Sequence, residues 1–220
     1  AMATVNELLG IARKQIGVSE APPDSNNVRY NTWYYGREVM GSWYPWCMVF
    51  CQWVFDQAGV KLPQRTASCG DLMNAAKAAG CWVARDFQPG DVVIYDFSGR
   101  QKTTQHCGIV EQVLPDYGVQ AIEGNTSQGG GSQDNGGMVC RKNRATKYII
   151  GAVRPQFEAE REDDDMTVYR TINDVPSWYK VAVQKAMNRD ALKGTNGKEI
   201  NVSEDLCRTL TVLDRLGKLD

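Results

Sequence analysis

The sequence predicts an α+β domain with an antiparallel sheet, followed by a small helical module. Three observations carry this. Helical periodicity marks about the first 80 residues, a run of short β-like segments punctuated by turns fills 81–154, and an acidic stretch follows at 156–165 before helical patterns return. Helices first and strands afterwards imply segregated layers rather than a parallel βαβ sheet.

The elements follow in order. Thr4 and Glu7 have capping-box spacing, and Leu8, Leu9, Ala12 and Ile16 recur at helical intervals. A second helix is expected over 47–58, with Pro45 at its entry and Gly59 at its end. A third runs over 69–79, with Ser68 as cap and Gly80 as stop. Strands are expected at 81–84, 91–97, 106–113, 118–123, 137–141 and 148–154. The glycine-rich stretch 129–137 lacks the Gly-Lys-Ser/Thr ending of a phosphate loop and reads as a hairpin loop near a site mouth. Six of the ten residues 156–165 are acidic, which predicts a solvated linker. The expected organisation is therefore a main domain over 1–155, a linker over 156–167 and a helical module over 168–220.

Composition narrows the function classes. With 220 residues, 42% of them hydrophobic and a formal charge of −1, the chain is globular and has no electrostatic pull toward nucleic acid or anionic membrane. No apolar run approaches membrane-spanning length, and the start reads as lacking a secretory signal. Seven cysteines without a CxxC pair read as reduced thiols, and one histidine leaves metal chemistry without an evident donor set.

That single histidine shortens the search for nucleophilic chemistry. A cysteine nucleophile needs a base and a group to orient the base's ring. Cys47 opens a predicted helix, where free N–H groups and the macrodipole favour thiolate and can stabilise an oxyanion. His106 opens a predicted strand and Glu123 ends the next, so a hairpin can join them, with Glu123 or Asn125 accepting from the imidazole. Strand alternation then points Cys107 away from the site, and Cys51, Cys69, Cys81, Cys140 and Cys207 read as packing residues. Seven of the chain's 20 aromatics lie between Tyr30 and Trp46. They read as a local core beneath the 47–58 helix and as a groove wall, with Trp43, Tyr44 and Trp46 the substrate-contacting candidates.

Four segments in order resemble one known family: PWCMVFCQWVF (45–55), PGDVV (89–93), HCGIVE (106–111) and IEGNT (122–126). They are similar to the CHAP family, the cysteine, histidine-dependent amidohydrolases/peptidases common among phage lysins and bacterial wall hydrolases. The resemblance implies a papain-like fold over residues 3–155 and cleavage of peptidoglycan amide bonds. It assigns Cys47 as nucleophile, His106 as base, Glu123 as the ring-orienting acid and Asn125 as a fourth polar partner. The family's calcium-binding members carry an acidic loop before the cysteine. Here Trp-Tyr-Pro-Trp (43–46) stands in that place, and Asp24-Ser25-Asn26-Asn27 reads as a turn with one carboxylate. No cofactor is expected, calcium being the one alternative. Some relatives have glutamine directly before the cysteine, where this chain has Trp46. The related NlpC/P60 peptidases resemble it less, because their third residue is commonly a second histidine.

In the C-terminal part, helices are expected over 177–188 and 203–217, with Ser177 and Ser203 as caps. Asn173-Asp174-Val175-Pro176, Trp178, Leu192-Lys193-Gly194 and Arg208 resemble one S-layer-homology-like repeat, a type of module that tethers enzymes to the wall. This implies binding to wall polysaccharide, with self-association; a helical hairpin used for packing or dimerisation is the other reading. The expected protein is thus a lysin-type peptidoglycan hydrolase, an N-acetylmuramoyl-L-alanine amidase or an endopeptidase. It would be made in the cytoplasm and act at the wall after release. A catalytically silent wall-binding protein is the alternative.

Overall fold

The structure is a computed structural model describing residues 3–115, 118–129, 131–159, 167–194 and 199–219. The chain divides into two compact units, Ala1–Glu160 and Arg161–Asp220.

The first unit opens with α1 (Val5–Arg13). Its capping box is formed: Glu7 N donates to Thr4 Oγ1 (3.3 Å) and Thr4 N donates to Glu7 Oε2 (2.9 Å). The helix stops before Ile16, which is left partly exposed as the backbone turns into left-handed geometry at Gly17. A short helix α2 (Arg29–Tyr35) follows, inside the aromatic stretch where no helix was expected. α3 (Cys47–Gln57) and α4 (Cys69–Ala78) come next; Ser68 Oγ caps α4 by accepting from Asp71 N, and left-handed glycines, Gly59 and Gly80, follow both helices.

Six strands then form one antiparallel sheet: β1 (Trp82–Val83), β2 (Val92–Tyr95), β3 (His106–Val113), β4 (Val119–Thr126), β5 (Met138–Arg144) and β6 (Ile149–Val153). Their order across the sheet is β1-β6-β2-β3-β4-β5. One face packs on the helices through Val92, Ile94, Cys107, Ile109 and Ile122, which share a core with Leu8, Phe50, Val54 and Leu72. The other face carries Val93, Tyr95, Val110, Ala121 and Ala152. Burial on both faces explains why β2 reads as a continuous apolar run instead of alternating.

The linker expected from 156 begins later. Phe157 packs its ring 6.2 Å from Phe55, and Glu158 N donates to Ala3 O, so 156–159 belong to the first unit. An apolar residue able to reach the core outweighs the acidic run beside it. Most of that run, 160–166, lies outside the described residues.

In the second unit, α5 (Ser177–Asn188) and α6 (Glu204–Arg215) pack around Val175, Val183, Ala186, Cys207 and Leu210. An unexpected two-stranded ribbon, β7 (Val168–Tyr169) with β8 (Val202–Ser203), joins them. Ser203 caps α6, accepting from Leu206 N. Ser177 does not cap α5: Pro176 takes the cap position and Ser177 is the first helical residue. Among the described residues no helix is long and apolar enough to cross a membrane.

Candidate active site

The site is built where the start of α3 meets the start of β3. Cys47 is the first residue of α3 and retains 6% exposure. Its N-cap, Trp46, makes no side-chain cap bond among the described residues, so the first-turn N–H groups stay available around the thiol. His106, the first residue of β3, is fully buried. Its ring lies against Tyr95 and Phe97, with centroids 6.0 and 5.8 Å away.

Glu123 reaches His106 across the β3–β4 hairpin, with Oε2 3.0 Å from Nε2. If Nε2 carries the proton, Nδ1 is left with its lone pair. Nδ1 is buried and has no hydrogen-bond partner among the described residues, so the pairing of the ring with Cys47 falls to it.

Arg144, at the end of β5, is the site residue that sequence reasoning missed. Its Nε donates to Glu123 Oε1 (2.8 Å) and its Nη2 to Oε2 (2.5 Å), a bidentate buried pair. The guanidinium also stacks over Phe97, 4.7 Å from the ring centroid. A signal existed. Glu123 pairs with Cys140 across the β4–β5 ladder, and Arg144 shares the parity of Cys140.

These contacts set the protonation states. Burial pushes the Glu123 carboxyl up, but the bonds from Arg144 and His106 outweigh it and hold the carboxyl below its ordinary value. Burial likewise disfavours charge on His106, yet Cys47 and Glu123 together raise the ring to about 10. Cys47 is held well below an ordinary thiol, chiefly by hydrogen bonding from Cys107 and Cys69, against desolvation and with help from His106. A thiolate–imidazolium pair is the state these directions favour near neutral pH.

Several expectations need correction. Cys107 does not face away: the Sγ atoms of Cys47, Cys69 and Cys107 all lie within 4.8 Å of one another, and Cys107 Sγ is 3.8 Å from that of Cys51. Alternation does put Cys107 opposite His106, but α3 packs on the Cys107 face, so Cys47 arrives from that side. Trp46 cannot contact substrate as placed. It is fully buried, stacked on Tyr30 (5.5 Å), and its Nε1 donates to Glu20 Oε1 (2.7 Å). Trp43, by contrast, is 89% exposed, and half-buried Tyr44 packs edge-on against Tyr35. Asn125 does not bond His106. A register shift after Glu123 and a left-handed φ of 56° turn it toward the glycine-rich loop. There its Nδ2 donates to Asn135 Oδ1 (3.2 Å) and its backbone oxygen accepts from Gly136 N (2.9 Å).

The loop 24–27 does not fit calcium, which takes six to eight oxygens. Asp24 is an exposed lone carboxylate, Ser25 Oγ donates to Pro22 O, and Asn27 N donates back to Ser25 Oγ. A surface concavity lined by Leu62, Pro63, Cys81 and Arg154 lies at the opposite ends of α3 and α4 from Cys47 and Cys69.

Helices packed on one face of an antiparallel sheet, with a cysteine at a helix start against a histidine on the sheet, define a papain-like α+β fold. Residues 39–125 match the family model of the CHAP domain. No curated protein matches the chain. Among solved structures, one described as "The crystal structure of Ly7917" is similar at 19% identity with a TM-score of 0.38, covering 70% of this chain and 62% of that one. The chain thus spans less than two thirds of that neighbour's length.

Proposed function

We propose that this protein is a lysin-type peptidoglycan hydrolase that cuts an amide bond by cysteine nucleophilic catalysis. The bond is the N-acetylmuramoyl–L-alanine amide or a peptide bond of the stem or cross-bridge. The observation that supports this best is the chain of contacts Cys47, His106, Glu123, Arg144, which supplies an activated thiol and a fixed ring in one buried line.

In this reading Cys47 thiolate attacks the carbonyl carbon, and the oxyanion develops against the Cys47 backbone N–H at the start of α3. His106 Nδ1 gives its proton to the leaving amine. The neutral ring then takes a proton from water, whose oxygen attacks the thioester and frees Cys47. Glu123 and Arg144 act through His106 by holding its ring and its charge. Asn125 positions the 127–137 loop, and Trp43 with Tyr44 forms part of the surface that meets glycan or stem peptide. The second unit supplies attachment to wall polysaccharide, and the enzyme works at the wall after release from the cytoplasm.

The test is digestion of purified peptidoglycan from several wall types by the wild type and by Cys47→Ala, with new amino termini read by mass spectrometry. New L-alanine termini lost in the variant identify an amidase; bridge or stem termini lost in the variant identify an endopeptidase. Termini that persist in Cys47→Ala, or no termini from either protein, overturn the proposal; the second result points to a silent wall binder.

A further inference from the structure

The mechanism uses one thiol, yet three converge at the site. Cys47 and Cys69 are the first residues of α3 and α4, and Cys107 comes up from β3 between them. Their sulfurs all lie within 4.8 Å of one another, and all three residues are buried. Sulfurs around a tetrahedral zinc ion, each roughly 2.3 Å from the metal, stand roughly 3.8 Å apart. The triad therefore needs only a contraction of rotamer size. The chain's one imidazole pairs with Cys47 but stands outside the three-sulfur cluster, on the other face of β3 from Cys107.

We propose that Cys47, Cys69 and Cys107 form a soft-metal site for a zinc-type divalent cation, with the fourth position left to solvent. Binding places one sulfur lone pair from each cysteine on the metal. Any protons carried by the thiols pass to solvent. Because the metal occupies the nucleophile, binding and amide hydrolysis exclude each other. Soft thiolate donors select zinc-class ions over calcium or magnesium. The inhibitory consequence rests on the proposed function; the binding itself rests on the sulfur geometry alone.

The experiment titrates the full-length protein, kept reduced with a phosphine, with Co2+ and reads absorbance. The expected result is one equivalent bound, with thiolate-to-cobalt charge-transfer bands in the near ultraviolet and strong tetrahedral d–d bands, both bleached by Zn2+. Cys69→Ser is the milder variant, since Cys69 lies at a helix start, and Cys107→Ser is the second. Each removes one of three thiolate donors and is expected to weaken cobalt binding and cut the charge-transfer intensity by about a third, whereas Cys81→Ser, at the far end of α4, binds like wild type. Absence of the charge-transfer bands in the wild type overturns the proposal, as does a spectrum unchanged in both Cys69→Ser and Cys107→Ser. In a parallel wall-digestion assay, Zn2+ should suppress cleavage over the range in which it displaces cobalt, and a chelator should restore it. Cobalt binding without cleavage of any wall refutes the proposed function and leaves the metal site standing. Cleavage without a cobalt spectrum refutes the metal site and leaves the function standing.

Discussion

At the scale of single residues, the account turns on how charge is shared along His106, Glu123 and Arg144. His106 sits above its ordinary 6.5, at about 10, so its charged form adds stability fully below 6.5 and loses that contribution as pH rises through about 10. In the thiolate–imidazolium mechanism the same loss sets the alkaline limb of activity, and the lowered Cys47 sets the acid limb. Glu123→Gln removes the group that helps hold the ring's proton. It is expected to lower kcat/KM roughly 10²–10⁴-fold and to move the alkaline limb down toward neutral. A pH–rate profile checks this, and a limb that stays near 10 would contradict it. Arg144→Met leaves Glu123 buried without its cation. Glu123 is lowered in the folded protein, so its contribution is present above its ordinary value and is lost as pH falls through the folded value. In the variant that loss begins at higher pH, and breaking the buried pair costs about 3–5 kcal/mol. Urea unfolding at two pH values reads both effects.

At the scale of elements, β4 crosses α3 so closely that a side chain has no room. A Cβ on Gly124 would stand 2.5 Å from Phe50 Cβ and 2.8 Å from the Trp46 ring. Gly124→Ala is therefore expected to push β4 from the start of α3, costing about 1–3 kcal/mol in urea unfolding and lowering activity further than stability alone explains. This approach also shows what the sequence could reveal. Helix starts and stops at Thr4, Ser68, Gly59 and Gly80 were legible because capping and left-handed turns are local. Cys47 and His106 were legible for the same reason, each opening its element, and the β3–β4 hairpin then placed Glu123. Asn125 was misread because a register shift and a left-handed residue break alternation just after Glu123. Arg144 was missed because its reach depends on β4–β5 register, which no local spacing encodes. Cys107 was misjudged because alternation says which residues share a face but not which helix covers it.

At the scale of the whole molecule, the first unit buries a cluster on each face of its sheet, and the second has its own core between α5 and α6. Each unit is expected to unfold in its own transition. A protein ending at residue 160 should keep amide cleavage on soluble wall fragments, and residues 166–220 alone should sediment with purified walls. Loss of cleavage in the first would tie the units into one functional body, and failure of the second to bind would remove the wall-attachment reading.

In the proposed mechanism Cys47 is an ionised nucleophile paired with His106. This is tested most directly by the rate of Cys47 alkylation against pH, followed by peptide mapping so that the other six cysteines are resolved. The account predicts that Cys47 reacts as a thiolate with a midpoint well below the ordinary 9.0, and that Glu123→Gln moves this midpoint up. A wild-type midpoint at or above 9.0, as for an ordinary buried thiol, would contradict it.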